Sequence, residues 1–402
     1  MIEKDGLKMY FADLHIHSRF SRACSKNLNL ESLEKWARVK GLDLLGTGDF
    51  THPEWLEELK NNLKERDGVF YTKTGFGFLL SGEISLMYTQ GRGRRVHLVL
   101  FAPSFEAVDK INSWLDTKGR RDYDGRPIFK ISCEDFVKKM SEIDDGIEVV
   151  PAHVWTPWFG VFGSATGYDS LKEAFGLQVD KVHAVETGIS STPEMNLRLS
   201  ELQNKTILSF SDSHSFWPWR LGREASIFSC IDSYDEILRQ IRENDLIGTI
   251  EVDPAYGKYH WDGHRVCGFS CSPEKTKQLK GVCPKCGKQL LVGVENRVEE
   301  LAGIENPVVK KKVFQMLPLH EIISFAIGVG MNSKSVWNHY NRLIEEFGNE
   351  LNILLVVDKE KLAKFVDEKI ADLIIKNRSG SLEVVPGFDG VYGYLKTDKE
   401  EK

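Results

Sequence analysis

The chain has 402 residues, of which 41% are hydrophobic and 28% charged, and a formal net charge of −6. That length exceeds one ordinary core, so two or three domains are expected. No apolar run approaches the roughly 18 residues of a membrane span, and the N-terminus lacks a signal-peptide core. These features describe a soluble globular protein with the cytoplasm as its default compartment and no membrane partner. Cys24, Cys133 and Cys230 stand alone while Cys267, Cys271, Cys283 and Cys286 cluster, which fits a reduced compartment with one metal site better than a disulfide framework. The overall charge does not suggest a nucleic-acid binder, but between residues 254 and 345 there are thirteen Lys or Arg against eight Asp or Glu. Bound cations would reduce the field of the acidic remainder.

In chain order, Tyr10 to Ser18 opens as a short apolar strand that ends by presenting His15 and His17. Strand side chains at i and i+2 share a face, so both imidazoles can converge on one ion. Asn29 is placed to cap a helix whose stripe is Leu30, Leu33, Trp36 and Ala37, with Gly41 as its stop. The next strand, from Leu42, ends in Asp49 with His52 close behind, and a helix follows through Trp55, Leu56, Leu59 and Leu63. Phe78–Glu83 is a third strand ending in a carboxylate, and Arg95–Phe101 carries His97 inside an apolar run. Ile147 to His153, Val182 to Glu186 and Ile207 to His214 complete the series, the last ending in Asp212-Ser-His214.

Strands alternating with helical segments imply parallel βα units, and ligand-type residues at strand C-termini imply a barrel with its chemistry on one rim. His183 is more readily a core or supporting histidine. Glu186 is suited either to orient a ligand or to form a salt bridge on the rim. The recurrence of the pattern is hard to explain structurally, because unpaired buried charges are costly. A metal cluster accounts for it economically. Paired cations about 3.5–4 Å apart activate water and clamp phosphate oxygens during in-line attack. Two aromatic loops follow the ligand strands, one with Trp155, Trp158, Phe159 and Phe162 and the other with Phe216, Trp217 and Trp219. They are read either as stacking surfaces for bases or as a hydrophobic lid.

Cys267-x3-Cys271 and Cys283-x2-Cys286 have the spacing of a small tetrahedral, closed and therefore structural zinc site. Beyond it come a short helix over 298–302 and the basic run Lys310-Lys311-Lys312. A helix over 318–327, the Gly328-Val-Gly330 hairpin and a helix over 334–347 capped by Asn332-Ser333 then follow. Such a helix–hairpin–helix can offer backbone N–H groups to phosphates without base specificity, although on sequence alone an ordinary helical turn fits the pattern slightly better. Residues 356–377 are expected to continue as helix, and the charged tail after Lys396 to be disordered. No G-x-x-x-x-G-K-[ST] motif is present, which argues against a helicase or ATPase.

The motifs Asp13-Leu-His15-Ile-His17-Ser, Gly48-Asp49, Gly82-Glu83-Ile, His97, Ala152-His153 and Ser211-Asp212-Ser-His214 resemble those of the polymerase-and-histidinol-phosphatase (PHP) superfamily of metallophosphoesterases. The resemblance implies an α/β chain with a distorted (β/α)7 PHP barrel over 1–253, a zinc module over 254–296, a linker over 297–316 and a helical DNA-binding domain over 317–402. It implies two or three divalent metals (Zn, Mn, Fe or Mg). One would be held by His15, His17, Glu83 and Asp212, and a second by Glu83, His97 and His153. His214 and Asp49 would serve a third, where a carboxylate replaces the family's usual histidine. Its catalytic set is Asp212, Glu83, His15, His17 and His153.

Taken with Gly46–Pro53, His153–Trp158 and Gly328–Ser335, the order of modules resembles the endonuclease Q family, DNA-repair enzymes of some archaea and a few bacteria. That resemblance implies damaged DNA, double- or single-stranded, as partner, in a prokaryotic cytoplasm at the nucleoid. The strand would be nicked 5′ of hypoxanthine, uracil, xanthine or an abasic site, leaving 3′-OH and 5′-phosphate ends. Candidate DNA contacts are Lys310, Lys311, Lys312, Lys334, Trp155 and Trp158. A replication clamp is a further candidate partner, with no clamp-binding peptide visible in the sequence. The alternatives are a PHP phosphoesterase acting on small phosphate esters or DNA ends, and a DNA-binding scaffold that has lost catalysis.

Overall fold

In the computed structural model, residues 1–4 and 6–396 are described; the tail after Lys396 lies outside the described residues. Strand β1 (Leu7–Asp13) is buried at its C-terminal end and pairs in parallel with β2 (Leu44–Gly46), which pairs in parallel with β3 (Gly77–Gln90). From β3 the direction reverses: β4 (Arg92–Ala102) is antiparallel to β3, and β5 (Glu148–Pro151) is antiparallel to β4. Strands β6 (Ala184–Glu186) and β7 (Thr206–Leu208) form a parallel pair. The Val154 N–H bond to the Glu186 carbonyl ties that pair to the end of β5, and an Ile16–Ser213 bridge returns it to the end of β1. These seven strands follow one another around an apolar interior that includes Leu14, Leu44, Leu79, Val150, Ala184 and Phe210. Beyond β1 the sheet continues through β8 (Ala225–Phe228), β9 (Gly248–Glu251) and a late strand, β10 (Lys312–Gln315), parallel to β9.

Helix α1 (Leu30–Lys40) forms as its sequence dictates. Asn29 and Ser32 make a reciprocal capping box, Gly41 closes it at φ 97°, and Leu30, Leu33 and Ala37 face the core. The hairpin β3–β4 departs from expectation. The strand expected to stop at Glu83 runs on to Gln90, because Gly91 turns the chain tightly enough for Gln90 to pair with Arg92. Glu83 and His97 therefore sit in the middle of an antiparallel ladder and not at the ends of parallel strands.

In the C-terminal third, the expected 298–302 helix spans Val294–Leu301 (α2). Helices α3 (Leu319–Ile327) and α4 (Lys334–Phe347, capped by Ser333) flank the Gly328–Gly330 turn as expected. The continuous helix expected over 356–377 is broken into α6 (Lys359–Leu362) and α7 (Glu368–Arg378), preceded by α5 (Glu350–Leu355). The cause is local: Asp358 and Asp367 both adopt extended N-cap conformations that start new helices. Among the described residues no helix is long and apolar enough to cross a membrane.

A buried ion pair joins the two parts of the chain. Lys40 Nζ lies 2.7 Å from Glu350 Oε1, and Glu350 also accepts from the Leu319 N–H at 3.0 Å and the Tyr340 hydroxyl at 2.9 Å. Beside it His320 is fully buried among Trp219, Trp337 and Tyr340, and neither of its ring nitrogens has a hydrogen-bond partner. Burial first, and the Lys40 charge second, push its pKa down to about 3. The unfolded chain takes up a proton near the ordinary histidine value that the folded chain refuses, so this contribution is complete above that pH and is lost as pH falls toward 3. Between pH 7 and 5 the loss from this one ring is about 2 kcal/mol. Denaturant titrations at several pH values should therefore show His320→Phe flattening the acid side of the stability profile by that amount.

Candidate metal centre

His15 and His17 follow directly from β1, and their rings stand 5.6 Å apart. Glu83, from the middle of β3, reaches them with Oε2, 3.4 Å from His15 Nε2 and 3.2 Å from His17 Nε2. Asp212 Oδ1 completes the group at 3.1 Å from His17 Nε2 and 3.6 Å from His15 Nε2. The other oxygen of Glu83 serves a second group: Oε1 is 2.8 Å from His97 Nδ1 and 3.4 Å from His153 Nε2. In each group the ligand atoms lie within 4.8 Å of one another, so either can hold a cation, with Glu83 common to both. Six of the residues expected from sequence are thus brought together across two hundred positions.

The polypeptide bends sharply to achieve this. His153 and Asp212 have positive φ, 31° and 45°, and so does Asp49 at 48°. Left-handed backbone is uncommon outside glycine and is concentrated where the surrounding structure over-determines it for function. Gly188 makes room for one such bend, since a Cβ there would fall 2.2 Å from the His153 Cβ.

Carboxylates behind the cluster set the rings. Glu186 Oε1 lies 2.8 Å from His15 Nδ1, and its Oε2 accepts from the His153 N–H at 2.7 Å. Asp49 Oδ1 lies 3.0 Å from His17 Nδ1. With their Nδ1 atoms engaged, both rings present Nε2 to the centre. Asp13, wholly buried, accepts from the Ser211 and Gly222 N–H groups and so holds the Asp212 loop; burial pushes its pKa up to about 6.

Burial disfavours a charged ring at His15, yet Glu186, Glu83 and Asp212 outweigh it and hold its pKa well above the usual value. His17 is likewise raised against burial, chiefly by Asp49 and Asp212. Against the same burial, Glu83 is held well below the carboxylate range by Arg126 and the histidines, and Asp212 by His15 and His17. A field that favours positive charge this strongly also favours a cation. His15 Nε2 and Glu83 Oε1 are buried without a hydrogen bond, even though His97 Nδ1 approaches the latter. Mixed imidazole and carboxylate donors suit Zn, Mn or Fe. The residues therefore fit divalent metals.

Several expected site residues lie elsewhere. Asp49 belongs to neither ligand group: its second oxygen accepts from the Ser18 N–H (2.6 Å), the Ser18 hydroxyl (2.6 Å) and the Ser21 hydroxyl (2.9 Å). His214 packs its ring 4.2 Å from His17, with Nδ1 3.1 Å from the Asp212 carbonyl oxygen and 3.7 Å from Asp212 Oδ1, and among the described residues it joins neither ligand group. His52 stacks on Phe20, and burial lowers its pKa. His183 pairs with Glu148 at 2.9 Å, as a structural histidine. Trp155 is not a DNA-facing ring; it is fully buried and donates to Asn196 Oδ1 at 2.8 Å, whereas Trp158 is 43% exposed. Lys310, Lys311 and Lys312 precede β10 or open it, at the N-terminal end of the parallel strands. They lie at the end of the sheet opposite the cluster, where Lys310 and Lys311 line a cavity of about 530 Å³ with Lys205. Lys334 is exposed at the start of α4.

The cysteine module also differs from its four-thiol expectation. His264, Cys267, Cys283 and Cys286 form the group that can hold a metal. Cys271 sits opposite Asp262 at the open end of a two-stranded hairpin, two pairs away from the turn end where His264 lies, and its thiol meets Thr276 Oγ1 at 3.3 Å. The His264-x2-Cys267 spacing was the available signal. Arg126 was also missed: its Nη1 donates to Glu83 Oε2 at 2.9 Å from an irregular loop where no periodicity marks it.

Two outcomes follow from this geometry. Asp49→Asn should weaken Mn²⁺ binding by about 10- to 100-fold in calorimetric titrations, because His17 loses its anionic partner. Elemental analysis of purified variants should find zinc lost from Cys283→Ser and retained by Cys271→Ser.

Residues 318–381 match the family model described as the MJ0043 C-terminal domain. The uncharacterized protein MJ0043 of Methanocaldococcus jannaschii is 33% identical over 289 residues, 69% of this chain and 35% of that protein, so the match spans about a third of its length. The crystal structure of the lesion-specific endonuclease PfuEndoQ from Pyrococcus furiosus superimposes with a TM-score of 0.87 at 33% identity, covering 98% of this chain and 96% of that one. A structure of endonuclease Q with a 27-mer duplex carrying an abasic lesion at its active site superimposes at 0.88, with 32% identity and 98% of both chains covered. With a third of its residues identical over nearly the whole of both chains, the protein belongs to the endonuclease Q family.

Proposed function

We propose that this chain is a metal-dependent DNA-repair endonuclease. It nicks the phosphodiester 5′ of a deaminated base (hypoxanthine, uracil or xanthine) or an abasic site and leaves 3′-OH and 5′-phosphate ends. The observation that carries the reading is the single carboxylate, Glu83, shared between two ligand groups within a full-length likeness to lesion-specific endonucleases. On this reading the seven-stranded arrangement is the distorted PHP barrel of residues 1–253. The Cys/His group is a structural zinc site, and the helices after residue 317 help hold DNA in a prokaryotic cytoplasm.

His15, His17, Glu83 and Asp212 would hold one cation and Glu83, His97 and His153 another; such ions supply Lewis-acid activation of water and neutralise charge on the phosphate. The chain's own residues do the rest. Glu186 and Asp49 keep His15 and His17 in the tautomer that leaves Nε2 free, and Asp13 fixes the Asp212 loop. Trp158 and Trp217, 43% and 38% exposed, offer ring faces on which unpaired bases can stack. Deaminated bases pair poorly and an abasic site has no base to unpair, so extruding the lesion costs less there than at a normal nucleotide. The exposed Gly328–Lys334 turn offers backbone N–H groups and one lysine to the phosphate backbone, a contact that weakens with salt.

The test uses a labelled duplex with one deoxyinosine or abasic site, with Mn²⁺ or Mg²⁺. A nick on the 5′ side of the lesion is expected. It should disappear with chelator and fall by about 10³-fold or more in Asp212→Ala. Phosphate release from small esters without nicking would favour a general phosphoesterase, and retarded but uncut DNA a scaffold.

A further inference from the structure

Glu83 Oε2 has two claimants. It belongs to the His15–His17–Asp212 group, and it also accepts from Arg126 Nη1 at 2.9 Å. A cation seated against that oxygen and a guanidinium hydrogen-bonded to it would repel each other at close range in a largely buried site. One of them must give way, and the surroundings of Arg126 show which part of it can move. The backbone on either side is pinned. The Gly125 N–H donates to the Phe20 carbonyl (3.1 Å), and the Gly125 carbonyl accepts from Thr51 Oγ1 (3.1 Å). The Arg126 N–H donates to Asp124 Oδ1 (3.1 Å), and the Pro127 carbonyl accepts from the Ser85 N–H (3.0 Å). Gly125 is pressed so close to the site that a Cβ there would fall 2.2 Å from Asp49 Oδ2. The Arg126 side chain, by contrast, is 27% exposed on the open side of the cluster, as is Asp212 at 27%. Glu83 is the carboxylate that holds the Arg126 guanidinium, since Asp124 Oδ2 pairs instead with Arg22 at 3.2 Å.

We propose that Arg126 is a catalytic residue: it yields Glu83 Oε2 to the cation and turns its guanidinium onto a non-bridging oxygen of the phosphodiester under attack. The planar fork of arginine suits two phosphate oxygens, which lysine as a point charge matches only in part. This inference rests on the endonuclease reading above. It makes one side chain both a competitor for the metal and a partner for the substrate, so its removal has opposite effects on the two.

The experiment compares the full chain with Arg126→Ala and Arg126→Lys in two arms. In calorimetric titration with Mn²⁺ and no DNA, Arg126→Ala should bind the ion more tightly, by about fivefold or more. In nicking of the lesion duplex at saturating Mn²⁺, the same variant should lose about 100-fold in kcat, with part recovered by Arg126→Lys. Unchanged or weaker Mn²⁺ binding by Arg126→Ala overturns the competition for Glu83. Nicking within about twofold of the unsubstituted chain overturns the phosphate contact. An unsubstituted chain that binds Mn²⁺ but leaves the lesion strand intact overturns the endonuclease reading, and the phosphate contact with it; the Mn²⁺ arm still decides the competition on its own.

Discussion

The structure depends on one buried carboxylate. Glu83 stands in the middle of a strand, shielded from solvent, with His15 and His17 at one oxygen, His97 and His153 at the other, and Arg126 alongside. A carboxylate there without positive neighbours would protonate or unfold its surroundings. Its place is sustained by the positive groups around it, and their places are in turn sustained by Glu186, Asp49 and Asp212. The cluster is a mutually dependent set of charges whose net preference is for further positive charge. That preference is the physical basis for holding cations near a phosphodiester.

The scaffold keeps the set rigid in ways unrelated to the ligands themselves. Three of the residues involved, Asp49, His153 and Asp212, adopt left-handed backbone. Such conformations persist where hydrogen bonds on both sides over-determine them. The supporting carboxylates contribute those bonds: Asp49 to Ser18, Asp13 to Ser211 and Gly222, and Glu186 to the His153 N–H. The C-terminal helices are locked to α1 through Lys40 and Glu350, a pair buried as deeply as the histidine–carboxylate cluster. The turn from Gly328 to Lys334 is thereby held in a fixed relation to α1.

Much of the site was legible in the sequence because metal ligands leave local marks: an HxH at the end of an apolar strand, a Gly-Glu within another, a DSH after a third. Helix α1 was equally legible, since its cap, stripe and stop are all short-range. Where the structure places residues otherwise than their sequence position suggests, the deciding partner is remote. Asp49 carries a ligand's side chain at a ligand's position, but three groups from Ser18 and Ser21 take its second oxygen. Trp155 and Trp158 are alike in sequence, and only packing buries the first against Asn196 and leaves the second in solvent. Cys271 has the spacing of a ligand, yet the hairpin register displaces it and brings in His264.

The sequence by itself determined the donor chemistry, the α/β class and the helix boundaries governed by caps and glycines, because these depend on residue type and on neighbours a few positions away. Only the tertiary structure decided which oxygen faces which nitrogen, that Arg126 shares Glu83 with the ligand histidines, and that Lys310–Lys312 lie at the end of the sheet opposite the centre. Those outcomes depend on the direction in which strands pair. The antiparallel turn at Gly91 and the parallel return of β10 onto β9 are long-range choices, made by burial of the sheet as a whole.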